Sequence, residues 1–219
     1  GLPMGFQQSI ISFGVLVVQV RLNALGAEAV AAYTAASRVD GIAMALLGSF
    51  SVAASMYVAQ NIGAGRPDRV RQGVTQGVVL AVSIAAAVGL VMVLAGGWFV
   101  RLFIGDEAPV VLDYGTSMLV INGATYWILA ILFVVRGALQ GLGQTLVPTI
   151  SGILELVMRA LAAVVLGAAF GFIGVAWSNP VAWLGAVLIL VPSYWAARRR
   201  LSKLPSNPRI MTETTPAIS

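Results

Sequence analysis

Residues Val58–Gly73 read VAQNIGAGRPDRVRQG. An apolar run, GIAMALLGSFSVAASMYVA (41–59), leads into this stretch, and no charge follows it between Gly73 and Val100. A hydrocarbon core is crossed by about 20 apolar residues, so each flanking segment is long enough to span one. Two glycines, a proline and three arginines between two such segments read as a tight, charged turn at a membrane surface. Gly63 and Gly65 are expected to take backbone angles closed to other residues where the first helix stops. Pro67 suits the first position of the next helix, and Asp68 complements its positive N-terminal end.

The rest of the chain fits this reading. Its 219 residues are 59% hydrophobic and only 10% charged, with a mean hydropathy of +0.93, where a soluble domain carries about 25% charged residues. Six spans are predicted, at roughly 3–20, 28–60, 72–100, 112–140, 147–170 and 173–197. The first begins at Gly1 without a basic n-region and runs into no small-residue cleavage site, which reads as a segment whose upstream part is missing rather than a signal peptide. From Ser202 onward the sequence turns polar and Pro-rich, the composition of a disordered tail. The expected organisation is an all-α six-helix membrane unit over 1–200 and a tail over 201–219.

The chain has no cysteine and no histidine. Disulfide scaffolds, Cys or His metal sites and Ser-His or Cys-His catalytic pairs are therefore excluded. The net charge of +5 resides in short loops and in the tail, which is a topology signal and not a nucleic-acid-binding face. Arg66, Arg69 and Arg71 follow span two, and Arg198, Arg199, Arg200 and Lys203 follow span six. In an alternating six-span arrangement both clusters fall on one side, expected to be cytoplasmic, so both ends of the segment are expected there, in a cytoplasmic (inner) membrane.

Ionisable residues inside spans are costly and stand out. Glu155 and Arg159 are four apart and share a helix face. Arg136 and Glu155 each lie about 10 Å from the short turn joining spans four and five, at 1.5 Å per residue. These positions predict a buried Arg136–Glu155–Arg159 cluster. Arg38 is counted with this buried charge, although it stands about 200° around the helix from Asp40.

Several segments, in this order and spacing, resemble the multidrug and toxic compound extrusion (MATE) family of transporters: GLPMGFQQSI (1–10), AAYTAASRVD (31–40), VAQNIGAGRPDRVRQG (58–73), VVRGALQGLGQTLVP (134–148) and ISGILELVMRA (150–160). The loop motif at Gln60, Asn61, Gly63 and Gly65, with R-x-x-x-G behind it, is the most specific of them. The resemblance covers about 1–200 and matches the family's C-terminal half, helices seven to twelve. It implies one six-helix lobe of a twelve-helix antiporter, with the N-terminal lobe of the same chain as its partner. It also implies exchange of small organic, often cationic, compounds for H⁺ or Na⁺, with no other cofactor and no enzymatic activity.

On that basis Asp40 and Glu155 are candidates for ion or proton coupling. Gln7, Gln8, Met44, Asn122 and Tyr126 are candidates for the substrate cavity, with Met44 and Met56 offering adaptable apolar surface. Some family members hold a cation with carboxylates in helices seven and ten. The matching positions here fall near Ile11 and Leu129, neither of them acidic, so the sequence departs from that pattern. Alternatives are a lipid-linked precursor flippase of a related fold and a non-transporting membrane scaffold. An intramembrane enzyme is disfavoured: histidine is absent, and Phe103 in F-I-G-D breaks an aspartyl G-x-G-D motif.

Overall fold

The computed structural model of the protein describes residues 16–105 and 108–202. These form only helices and turns: α1 (Leu16–Leu25), α2 (Ala27–Gly63), α3 (Pro67–Ile104), α4 (Pro109–Gly141), α5 (Leu146–Ala176) and α6 (Ser178–Leu201). Helices α2 to α6 are each long and apolar enough to cross a membrane. Most of the predicted first span lies outside the described residues, as does the tail beyond Ser202.

The opening motif closes α2 as expected, with one change. Arg66 N–H donates to the Asn61 carbonyl at 2.8 Å and Gly65 N–H to Ile62 at 2.9 Å. These paired bonds end a helix by turning one residue to positive φ. That residue is Gly65 (φ 66°), while Gly63 keeps a negative φ inside the last turn of α2. Pro67 then starts α3, with Asp68 in its first turn. The end of α4 repeats the device: Gln144 donates to Leu139, Gly143 to Gln140, and Gly143 carries φ 77°.

The fifth and sixth spans join without a loop. Gly171 takes φ 61° and ψ −137°, which breaks the helix between the predicted ends at 170 and 173. A side chain on Gly174 would strike the Leu166 carbonyl, and one on Gly185 would strike Met158. The two helices therefore run antiparallel in contact from the turn inward. Pro192 lies within α6, and Pro148 and Pro180 lie in first turns.

Helix α4 is the centre of the bundle, 61% buried over its apolar window against 17–44% for the other spans. Glycines bring its neighbours onto its backbone. A Cβ on Gly137 would overlap the Ser51 carbonyl, and one on Gly141 would overlap that of Ser55. These pairs and Asp40–Tyr126 share an offset of 86 residues, so α2 and α4 run parallel in a single register. Gly89 and Gly123 make the same close approach between α3 and α4, which run antiparallel. Small residues permit such approach in lipid, where no hydrophobic force presses helices together.

Candidate functional site

The parallel register of α2 on α4 determines what Asp40 meets. Asp40 is 8% exposed, and Asn122 and Tyr126 are 0% exposed. The Tyr126 hydroxyl donates to Asp40 Oδ1 at 2.5 Å, and Asn122 Nδ2 donates to the same oxygen at 3.2 Å. Asn122 and Tyr126 are four apart on α4, so one helix face presents both donors to one carboxylate oxygen. No hydrogen bond engages Asp40 Oδ2 among the described residues. From α6, the ring of buried Trp183 covers Tyr126 at a centroid distance of 6.2 Å. The donors around the carboxylate are neutral, and no ion pair to Asp40 exists among the described residues.

Asn122 and Tyr126 are expected from the sequence on a cavity wall. The structure instead encloses both and makes them the grip on Asp40. Met44 is half-buried against the core. Gln7 and Gln8, and the position Ile11, lie outside the described residues. Of the loop motif, Gln60 and Gly63 are exposed, Asn61 donates to the Tyr57 carbonyl at 2.8 Å, and buried Gly65 makes the turn.

The predicted ion cluster is present. Glu155 Oε2 accepts from Arg136 at 2.8 Å, and Oε1 accepts from Arg159 at 2.9 Å. The three side chains are 14–23% exposed, so the cluster is largely rather than fully buried. Arg159 also lies within electrostatic reach of Asp40 and Tyr33, without a hydrogen bond to either among the described residues. Arg38 does not belong to this network: it is exposed, on the other side of α2 from Asp40. Two residues along a helix turn a side chain by about 200°, so when Asp40 faces the core Arg38 faces out.

Arg21 falls just past the end of the predicted first span, but α1 continues to Leu25 and carries it into the bundle. Its guanidinium donates to the Gly167 carbonyl at 2.6 Å, one turn before the break at Gly171. Helix-end carbonyls carry partial negative charge and lack intrahelical donors, so a cation is well placed there. The signal for this was the charge of Arg21 beside a predicted span end; its partner lies 146 residues away.

The MatE family model matches residues 3–166, three quarters of the chain. The chain belongs to the MatE family. The probable multidrug resistance protein NorM of Thermotoga maritima is 29% identical over 150 residues, covering 68% of this chain and 32% of its own length. A MOP superfamily transporter from Pyrococcus furiosus superposes with a TM-score of 0.81 at 18% identity, covering 90% of this chain and 44% of its own. An outward-facing multidrug resistance MATE family transporter gives 0.80 at 19% identity, covering 91% and 44%. The MatE chain thus has the fold of a six-helix lobe and spans under half the length of these relatives.

Proposed function

We propose that this MatE lobe works as the C-terminal half of a secondary antiporter, facing a second six-helix lobe across a substrate cavity. The transporter exports organic, cationic compounds in exchange for H⁺ or Na⁺ and performs no enzymatic chemistry. In this reading the basic ends of α2 and α6 lie on the cytoplasmic side of the cell membrane, following the positive-inside rule.

The observation that carries the coupling assignment is the contrast between the two candidate carboxylates. Both oxygens of Glu155 bind guanidinium groups. Protonating it means losing one charge-assisted bond, weakening the other and leaving two largely buried cations without a counter-charge, which is strongly unfavourable. Asp40 binds neutral donors through one oxygen and leaves the other unengaged. A proton or a cation reaching Oδ2 therefore displaces no ion pair. Taking up that charge weakens the acceptor strength of Oδ1 and loosens the grip of Tyr126 and Asn122, which loosens α2 from α4. This is a route from ion binding to helix motion, the coupling that alternating access requires. The proposed roles are Asp40 as coupling site, Tyr126 and Asn122 as its positioning residues, and the Arg136–Glu155–Arg159 cluster as scaffold.

The test is efflux of a cationic dye from proteoliposomes containing the complete transporter, driven by a pH or Na⁺ gradient. Asp40→Asn is expected to abolish gradient-driven efflux while dye binding persists, and Glu155→Gln in a folded background is expected to keep the wild-type pH profile. Unchanged coupling in Asp40→Asn would remove Asp40 from the mechanism.

A further inference from the structure

Away from the Asp40 site, at the end of the bundle that carries the basic clusters, an open cleft of about 390 Å³ is lined by polar residues of α3 and by Arg198 of α6. A neighbouring cleft of about 300 Å³ continues it along α6. Arg71 and Arg198 line both. Among the described residues Asp68 is the only carboxylate on the lining, and Arg199 and Trp195 are added in the second cleft. Neither Arg71 nor Arg198 forms an ion pair among the described residues. The Arg71 Nε and the Tyr194 hydroxyl are both buried without a hydrogen-bond partner among them. Tyr194, 6% exposed, lies within electrostatic reach of both arginines. Two arginines without a carboxylate partner on one lining leave a cationic cleft whose charge is not neutralised by the described residues.

We propose that this cleft binds the phosphate of an anionic phospholipid headgroup. Guanidinium groups match the geometry of phosphate oxygens, and basic pockets between transmembrane helices are suited to lipid headgroups. The apolar surface beside the cleft favours a lipid over free phosphate. Trp195, Leu188 and Leu184 are 55%, 67% and 48% exposed. Spacings of seven and eleven residues place them on one face of α6, running from the cleft into the apolar part of the helix. Phosphate sits at Arg71 and Arg198, Trp195 lies at headgroup level, and an acyl chain follows the leucines. The lipid thereby joins α3 to α6 at an end of the bundle where the two helices make few contacts of their own.

Native mass spectrometry of the full chain in detergent tests this, with phosphatidylglycerol, phosphatidylcholine of the same acyl chains, and inorganic phosphate as probes. The expected result is one tight phosphatidylglycerol adduct, with phosphatidylcholine bound at least tenfold more weakly. Arg71→Gln/Arg198→Gln is expected to lower phosphatidylglycerol affinity roughly 10- to 30-fold, the scale of two lost arginine contacts. Arg66→Gln/Arg69→Gln removes the same charge from the same end but outside the cleft, and is expected to cost less than about threefold because such charges are screened. Circular dichroism checks that each variant folds. If the cleft double variant does not fold, Arg198→Gln and Trp195→Ala alone are each expected to weaken the adduct, and failure of both to do so overturns the proposal. Equal losses in the two double variants, or equal binding of the two lipids, overturns it as well. Displacement of phosphatidylglycerol by millimolar inorganic phosphate would show that the cleft takes free phosphate and overturn the lipid assignment.

Discussion

Replacing Glu155 by glutamine tests the electrostatic scaffold of the lobe directly. The carboxylate holds Arg136 at 2.8 Å and Arg159 at 2.9 Å, one guanidinium per oxygen. The Nε atoms of both arginines are already buried without partners among the described residues, so neither has a ready substitute. A hydrogen bond to a charged group contributes about 1.5–3 kcal/mol net. The glutamine side chain would retain one amide oxygen and one of these bonds in weakened, uncharged form. The other guanidinium would lose its acceptor, and both would lose their neutralising charge. Removing one partner from a buried ion pair costs about 3–5 kcal/mol. The 14–23% exposure of the three side chains moderates that penalty, giving an expected loss of about 2–4 kcal/mol. For a chain of this size that corresponds to a fall in unfolding midpoint of roughly 4–16 °C. The assay is thermal unfolding of the purified protein in detergent, followed by intrinsic fluorescence. Adding Arg159→Gln to Glu155→Gln is expected to recover part of the loss, because it removes one of the stranded charges. A midpoint within a degree of wild type for Glu155→Gln, or strictly additive losses in the double variant, would refute the argument.

Three further substitutions probe the packing. Gly137→Ala places a methyl group on the Ser51 carbonyl; backbone cannot rotate away, and a loss of about 1–3 kcal/mol is expected in the same unfolding assay. Gly152→Ala is its counterpart: open space surrounds that position within α5, and the higher helix propensity of alanine is expected to leave stability unchanged or raise it by up to about 1 kcal/mol. Gly171→Ala also meets open space, but its φ of 61° with ψ −137° strains any Cβ; the expected loss is about 1–3 kcal/mol, with faster amide exchange around the turn in hydrogen-exchange mass spectrometry.

Features governed by local sequence were legible before the structure. The ends of spans five and six bracketed the break at Gly171, and the Arg136–Glu155–Arg159 cluster followed from a four-residue spacing and equal distances from one short turn. Features governed by the lateral register of helices far apart in sequence were not. Asp40, Asn122 and Tyr126 each stand out in the sequence, but for separate purposes, because nothing local sets how α2 slides along α4. The glycines that fix that register, Gly137 and Gly141, stand four apart on one helix face, but nothing in the sequence names their partners, Ser51 and Ser55. Arg38 does not share the burial of the other charges, and its angle from Asp40 already pointed it outward. Arg21 escapes a hydropathy reading because apolar character fades at the end of a span while the helix itself continues to Leu25.

The dependence of Asp40 on α4 also constrains how the lobe is made. Asp40 and Tyr126 are 86 residues apart, an interval of about 4–17 s at a synthesis rate of 5–20 residues per second. Throughout it, α2 and then α3 must enter the bilayer with that carboxylate lacking both of its donors. Arg38 points away and gives no relief within the same helix. A lone acid in a newly inserted span is costly enough to hinder its integration. The fourth span therefore completes the second: until it arrives, the cost of that carboxylate in lipid stays uncompensated.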